Sequence, residues 1–174
     1  INDILDMSRI ESGKMLMKSE KIPTEDFLGG ISTICHAQAA SKGVDYECIV
    51  DPVLDDYYIG DAMKLQQVLL NILSNAIKFT EPGGAVSLVL ATEGDQAVVM
   101  VSDTGCGISQ EVGKHIFEKF YQGDTSHAAK GNGLGLALVK RVIDITRGDI
   151  QVSSQVGKGS TFTVKLRREK DEKV

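Results

Sequence analysis

The stretch Asn71–Thr80, NILSNAIKFT, decides how the rest of the chain is read. It continues a helical pattern that starts near Asp61, a residue type suited to N-capping. Leu65, Val68, Leu69, Ile72, Leu73 and Ala76 recur at steps of three and four and form one wide apolar face. Leu70 and Ile77 add apolar surface on the other side. Between these surfaces runs a narrow polar stripe of Gln67, Asn71, Asn75 and Lys78. At about 100° per residue the four lie within roughly 80° of one another. A helix apolar on both flanks is expected to be buried. Two amides and an ammonium placed there are costly unless something polar meets them. Taken alone, the stretch fits a solvated stripe on an amphipathic helix. It fits equally one wall of a pocket for an anionic, metal-bearing ligand.

The 174 residues suit one domain with some chain to spare. Hydrophobic residues at 42% and charged ones at 25% describe a soluble globular chain that buries a real core. Trp is absent and aromatics are sparse, so that core must rest on Ile, Leu, Val and Ala. A net charge of −5 argues against a nucleic-acid surface. It also means that a strongly anionic ligand would need a cation or a local cluster of donors. Cys35, Cys48 and Cys106 are an odd set without metal-ligand spacing, which indicates a reducing compartment and no disulfide framework. No apolar run reaches the length of a membrane span, and the N-terminus lacks a signal-peptide pattern. A cytoplasmic location without membrane contact by this chain is expected.

Residues 1–14 read as the end of a helix that starts earlier, with Ile1, Ile4, Leu5 and Ser8 on one face and Gly13 as its stop. An apolar stripe at that position suggests a partner helix; packing on the domain itself is the other option. Met15 to Ile22 alternates weakly, as a short strand or an extended linker. Pro23 and Thr24 open a helix to about residue 42 with Phe27, Leu28, Ile31, Ile34 and Cys35 inward, ended by Gly43. Strands are expected at 44–50, 57–60, 85–91 and 97–103, the last placing Val99, Val101 and Asp103 on one face. Short helical pieces follow at 109–120, then a polar loop at 121–133, YQGDTSHAAKGNG, expected to be mobile. Leu134–Thr146 is an apolar helix. Two strands, 149–154 and 160–167, flank the turn VGKGS, and a charged tail ends the chain.

Three motifs bear chemistry, each weakly by itself. In DTGCGI, residues 103–108, a carboxylate precedes two glycines, and a loop with Gly105 and Gly107 lets backbone approach a flat ligand. Asp103 would accept from an exocyclic amine, of adenine or guanine alike; taken alone, the motif is better explained by a hairpin-like turn with Asp103 capping the helix after it. GNGLGL, residues 131–136, is a glycine-rich loop opening a helix, whose unpaired N–H groups suit phosphate. Its spacing is neither that of a P-loop nor that of a Rossmann turn. GKGS, residues 157–160, reads most simply as a β-turn.

The combination is far more specific. NxxxNAxKF on a helix, DxGxGI after a strand, FEKFYQ, GxGLGL opening a helix and GxGSTF before a final strand occur in that order. Together they resemble the ATP-binding catalytic domain of sensor histidine kinases, within the superfamily of gyrase, Hsp90 and mismatch-repair ATPases. The resemblance covers roughly residues 15–167. FEKFYQ and the KFT ending separate the kinases from their ATPase cousins. ILDMSRIESGK looks like the end of the second helix of the kinase's dimerisation hairpin. The organisation so implied is residues 1–18 as the end of that hairpin helix and linker, 19–168 as the catalytic domain, and 169–174 as a tail.

The resemblance implies an α/β fold, an α+β two-layer sandwich: a mixed, largely antiparallel sheet with helices on one face and a mobile ATP lid over 121–133. ATP and Mg²⁺ are the implied cofactors. Asn71 and Asn75 match the residues that hold Mg²⁺ and phosphate oxygens, and Lys78 matches a phosphate-binding lysine; these three are the implied catalytic set. Phe79 would lie near base or ribose, and Asp103 would accept from the adenine amine in a pocket shaped by Gly105, Gly107 and Ile108. Lys130, Gly131, Gly133, Leu134 and Gly135 would line the phosphate side and hinge the lid. Ser160 would support Asp103 through water, on the strand face of Phe162 and Val164. Where many members carry a lid arginine this chain has Gln122, leaving Lys130 as the nearest basic residue. Cys106, inside the adenine motif, reads as an inert filler, and His36, His115 and His127 as structural or solvent-facing.

The implied activity is transfer of the γ-phosphoryl group of Mg²⁺·ATP to a histidine on a dimerisation hairpin. The expected partners are that hairpin, in a homodimeric parent of open membrane topology, and a response regulator; nucleic acid is not among them. Two alternatives stand beside this: a stand-alone ATPase or serine kinase of the same superfamily, and a nucleotide-responsive binding module without catalysis.

Overall fold

In a computed structural model the chain is described over residues 2–122 and 133–168. Its helices are α1 (Asn2–Glu11), α2 (Thr24–Lys42), α3 (Ala62–Lys78), α4 (Gln110–Gly113) and α5 (Gly135–Ile145). Its strands are β1 (Glu20–Pro23), β2 (Asp45–Val50), β3 (Tyr57–Gly60), β4 (Ala85–Glu93), β5 (Gln96–Asp103), β6 (Asp149–Gln155) and β7 (Gly159–Arg167). The main sheet runs β2-β4-β5-β7-β6, with only β2 and β4 parallel. β1 and β3 form a separate antiparallel pair. The fold is therefore the expected two-layer α+β sandwich, with α2, α3 and α5 against one face of a mixed, mostly antiparallel sheet.

Strand alternation decides which face meets the helices. Val86, Leu88 and Leu90 of β4, Val99 and Val101 of β5 and Phe162 and Val164 of β7 are all buried. They meet Ile31 and Cys35 of α2, Val68, Ile72 and Leu73 of α3, and Leu138, Val142 and Ile143 of α5. Nearly all of these are aliphatic, as an aromatic-poor composition requires. Asp61 caps α3 as its residue type suggests, its Oδ1 accepting from the Lys64 N–H at 3.1 Å. Its second oxygen accepts from the Lys18 N–H at 3.0 Å, so the same carboxylate ties the segment after α1 to the start of α3. No helix among the described residues is long and apolar enough to cross a membrane.

One helix turns differently from its apolar pattern, and another leaves its apolar stripe facing outward. On α2, Ile34 is exposed and Ala39 takes the inward place after Cys35, because the helix lies on β2 through Leu28, Ile31, Cys35 and Ala39. On α1, Ile4 and Leu5 point outward, while Met7 is buried and Ile10 packs on the core. Polar contacts accompany this packing. The inward face of α1 carries Asp3 and Asp6, and α3 meets it with donors: Gln67 Nε2 lies 3.2 Å from Asp3 and 3.0 Å from Asp6, and Lys64 Nζ lies 3.0 Å from Asp6. Glu11 pairs with Lys119 at the far end of the helix. Gln67 is thus taken out of the ligand-facing stripe and serves α1.

Partial burial pushes the Asp6 carboxyl up, but hydrogen bonds from Gln67 and Lys64 and the charges of Lys64 and Arg9 outweigh it and hold it below its ordinary value. A depressed carboxyl stabilises the docked helix fully above the free-carboxylate pKa, near ~4, and loses that contribution as pH falls through its folded value. Asp6→Asn should therefore weaken docking at neutral pH by about 1 kcal/mol. Hydrogen exchange should speed up over α1 while the core amides of α3 keep their protection. The difference between variant and wild type should vanish under acid conditions.

Candidate functional site

With Gln67 engaged by α1, the stripe on α3 reduces to Asn71, Asn75 and Lys78. Burial of the flanking Ile72, Leu73, Ala76 and Ile77 holds these polar side chains along one partly exposed line. The Asn71 amide Nδ2 donates to the Gly135 carbonyl at 3.3 Å. That contact ties the stripe to the start of α5 and leaves Asn71 Oδ1 to accept or to ligate. Among the described residues none hydrogen-bonds the side-chain amide of Asn75. Lys78 Nζ sits 5.2 Å from the centre of the Phe79 ring, which is itself 39% exposed at the end of the helix.

At that end the stripe meets the loop after β5. The Cys106 N–H donates to the Phe79 carbonyl at 3.2 Å, and the Gly157 N–H donates to the Cys106 carbonyl at 2.8 Å. The Ile108 N–H donates to Ser154 Oγ at 2.7 Å. The loop is thereby stitched between α3 and the β6–β7 turn, which explains its glycines without a ligand. A Cβ on Gly105 would stand 2.5 Å from the Phe79 carbonyl oxygen. One on Gly107, at φ +72°, would stand 2.1 Å from that of Gln155. Cys106, between them, is an exposed free thiol.

Asp103 ends β5 at the mouth of this loop. Its Oδ1 accepts from the Gly105 N–H at 2.9 Å, and the Ser160 N–H also donates to the carboxylate. Burial nevertheless outweighs these two donors and raises the carboxyl above its ordinary value. Ser160 is buried on the same face as Phe162 and Val164, as alternation predicts. It reaches Asp103 through its main chain, while its hydroxyl hydrogen-bonds Ser154 Oγ at 2.8 Å. Ser154 also donates to the Gly159 carbonyl at 3.0 Å and so braces the whole aspartate corner. Motif reading alone overlooks it. The signal available in the sequence is the hairpin register, which puts Ser154 opposite Ser160 across the VGKG turn.

The other end of the stripe is the start of α5. Leu134 is buried there, and its carbonyl accepts from Leu138. α3 and α4 are each capped by a side chain, Asp61 and Ser109, whereas α5 has no side-chain cap. Its positive dipole end lies beside Asn71 and would favour an anion there. Gly133, at φ +70°, accepts from the Phe120 N–H at 3.0 Å, which closes the base of the loop between them. Lys130 and Gly131 lie outside the described residues, as does most of the expected lid. Among the described residues no cluster of three or more His, Cys, Asp or Glu could hold a metal. A cation here would have to use amide oxygens and the ligand's own.

The distances join these elements into one line. α5 touches Asn71, the DTGCGI loop touches Phe79, and the eight residue steps from one to the other rise about 12 Å along α3. Amide oxygens and the start of α5 occupy one end; the Lys78 ammonium, an exposed ring and an acceptor carboxylate occupy the other. Such an arrangement suits a ligand with an anionic, cation-bearing tail and a flat head that donates hydrogen bonds. A separate cleft of about 450 Å³, bounded by Met7, Phe117, Lys119 and Arg141, does not include the stripe.

Residues 60–170 match the family described as histidine kinase-, DNA gyrase B-, and HSP90-like ATPase. The circadian input-output histidine kinase CikA of Synechococcus elongatus is 42% identical over 94% of this chain and 22% of its own length. The aerobic respiration control sensor protein ArcB of Escherichia coli is 37% identical over 95% of this chain, again 22% of the relative. The chain thus spans about a fifth of the length of these curated relatives. A crystal structure of full-length ShkA in complex with AMPPNP superposes with a TM-score of 0.85 at 31% identity, covering 96% of this chain and 35% of that one. The Acinetobacter baumannii histidine kinase AdeS, at 21% identity and a TM-score of 0.78, shares the fold over 97% of this chain and 77% of its own.

The raised carboxyl of Asp103 has a measurable consequence. A group whose folded value exceeds its unfolded one favours folding below the unfolded pKa and opposes it as pH rises through the folded value. Asp103→Asn keeps an oxygen for the Gly105 N–H and removes the buried charge. The free variant should melt higher than wild type at neutral pH, with the gap closing as pH falls toward the carboxylate range. Scanning calorimetry at several pH values checks this, and a melting point lowered at neutral pH would contradict it.

Proposed function

Because this chain belongs to the family of histidine kinase-, DNA gyrase B-, and HSP90-like ATPases, we propose that it binds Mg²⁺·ATP along α3 as the catalytic domain of a two-component sensor histidine kinase. The observation that carries the proposal is the single line on α3. Asn71, Asn75 and Lys78 lie between the uncapped start of α5 and the Asp103 loop. In this assignment the adenine amine donates to Asp103, the Phe79 ring lies by base or ribose, and Lys78 neutralises phosphate charge. Gly133, Leu134 and Gly135 bring the first amides of α5 toward the phosphates, with Lys130 and Gly131 as further candidates. Ile108 and Gly105 shape the base side, braced by Ser160. The carbonyl oxygens of Asn71 and Asn75 are hard, neutral donors, the class that suits Mg²⁺ shared with phosphate oxygens. When bound, the ion would supply charge neutralisation.

Little covalent chemistry is asked of these side chains. Phosphoryl transfer depends on holding donor and acceptor in line and on spreading the charge of the transferred group. The acceptor is a histidine on a dimerisation hairpin, the last part of which we assign to residues 1–18. Residues 19–168 form the catalytic domain and 169–174 a tail. A response regulator is the expected recipient of the phosphoryl group, in the cytoplasm and from a dimeric parent.

Titration calorimetry tests the assignment directly. Wild-type chain should take up Mg²⁺·ADP and prefer it to the guanine nucleotide. Asp103→Asn places a donor opposite the adenine amine and should weaken binding by about 1–3 kcal/mol. Asn75→Ala should make the affinity that remains much less dependent on Mg²⁺. Equal affinity for GDP, or no loss in the Asp103 variant, would overturn the assignment.

Autophosphorylation gives a second check. His36 is followed by Ala37 and stacks edge-on with Tyr46, at 4.8 Å between ring centres. His115 Nδ1 is held by Glu118 at 2.7 Å. His127 lies outside the described residues, in the expected lid. With no carboxylate after His36 and His115 already held by Glu118, this chain incubated alone with labelled ATP should stay unlabelled. Addition of a hairpin protein carrying its histidine should allow transfer. Acid-labile, base-stable label on this chain alone would contradict the reading of its histidines.

A further inference from the structure

The last turn of α3 is held by a residue outside every motif. Lys42, the final residue of α2, sends its partly buried Nζ across to α3, where it donates to the Ile77 carbonyl at 3.0 Å and to the Lys78 carbonyl. Gly43 makes this reach possible. It ends α2 in the left-handed conformation, at φ +74°, and its carbonyl accepts from Gly83 at 2.7 Å. The two helix ends are thereby locked to the turn that follows α3. The carbonyl held by Lys42 belongs to the residue whose ammonium faces the stripe. The next carbonyl along, that of Phe79, receives the Cys106 N–H.

Electrostatics gives this contact a meaning beyond packing. The C-terminus of a helix carries about half a negative charge and unpaired carbonyls. An anionic ligand beside the last turn of α3 would be repelled by them. Lys42 places a full positive charge on those carbonyls and fixes the main chain of Lys78 at the same time. We propose that Lys42 is a positioning residue for the nucleotide site: it neutralises the negative end of α3 and holds Lys78 where it meets phosphate. This rests on the nucleotide assignment above.

The test is a double-mutant cycle on Mg²⁺·ADP affinity, with folding checked by thermal unfolding. Lys42→Met keeps the aliphatic stem and removes the charge. Lys42→Gln keeps a neutral donor for the carbonyls, so that a folded variant lacking the charge is available if the Met form unfolds. The folded variant should bind about tenfold more weakly than wild type, while Lys42→Arg should stay near wild type. In a Lys78→Met background the same Lys42 substitution should cost clearly less, because the part of its effect that runs through Lys78 is already lost. An equal loss in both backgrounds, or no loss in a folded Lys42 variant, would overturn the proposal. If wild type fails to bind nucleotide at all, the fault lies with the nucleotide assignment; if Lys78→Met loses affinity and Lys42→Met does not, it lies with Lys42 alone.

Discussion

The carbonyl of Phe79 is where the helical layer and the sheet layer of the site are joined. It ends α3, receives the Cys106 N–H at 3.2 Å, and lies so close to Gly105 that a side chain there would overlap it. Everything on the base side of the proposed pocket hangs from this one contact. Asp103 is positioned because its strand runs into a loop that Phe79 holds. Cys106 in turn accepts from Gly157, which brings up the β6–β7 turn and with it Ser154 and Ser160. Shifting the end of α3 by one hydrogen bond would move the carboxylate relative to Asn75 and Lys78.

A polar stripe on a helix buried on both flanks is costly unless its groups are matched. This chain answers the demand residue by residue. Gln67 is matched by two aspartates of α1, Asn71 by the first carbonyl of α5, and Lys78 lies over an aromatic ring. Asn75 has no such match among the described residues, and α5 begins without a side-chain cap. Asn75 shares its line on α3 with the loop of a carboxylate that burial keeps above its ordinary value. Such a site gives up stability in the free protein and recovers it when a ligand is bound.

Elements governed by local periodicity were legible in the sequence. The bounds of α2, α3 and α5, the hairpin β4–β5 and the inward set Val99, Val101, Phe162 and Val164 follow from apolar spacing and turn residues. What depends on distant partners was not. The pattern of α1 shows the Ile4 and Leu5 stripe but not the face that docks, whose aspartates find Gln67 and Lys64 more than fifty residues away in sequence. Ile34 fits the period of α2 but is left exposed, while Ala39 is buried instead. Lys42 looks like an ordinary last-turn lysine, and only the packing of α2 on α3 shows which carbonyls it meets. In the site, motif order pointed to Asn71, Asn75, Lys78 and Asp103, and the fold sets them along one line. The close approaches at Gly105 and Gly107 are made by the protein's own backbone, something a motif cannot distinguish from room for a ligand.

That a metal-bearing nucleotide lies along α3 is best tested by replacing Mg²⁺ with paramagnetic Mn²⁺ and following side-chain amide signals by NMR. On titration of Mn²⁺·ADP, the amides of Asn71 and Asn75 should broaden first and most. The Gly105 N–H should shift with little broadening, because it lies at the base end. Broadening centred on the Asp3 and Asp6 side of α1, or equal broadening over the acidic surface with Asn71 and Asn75 unaffected, would contradict the account.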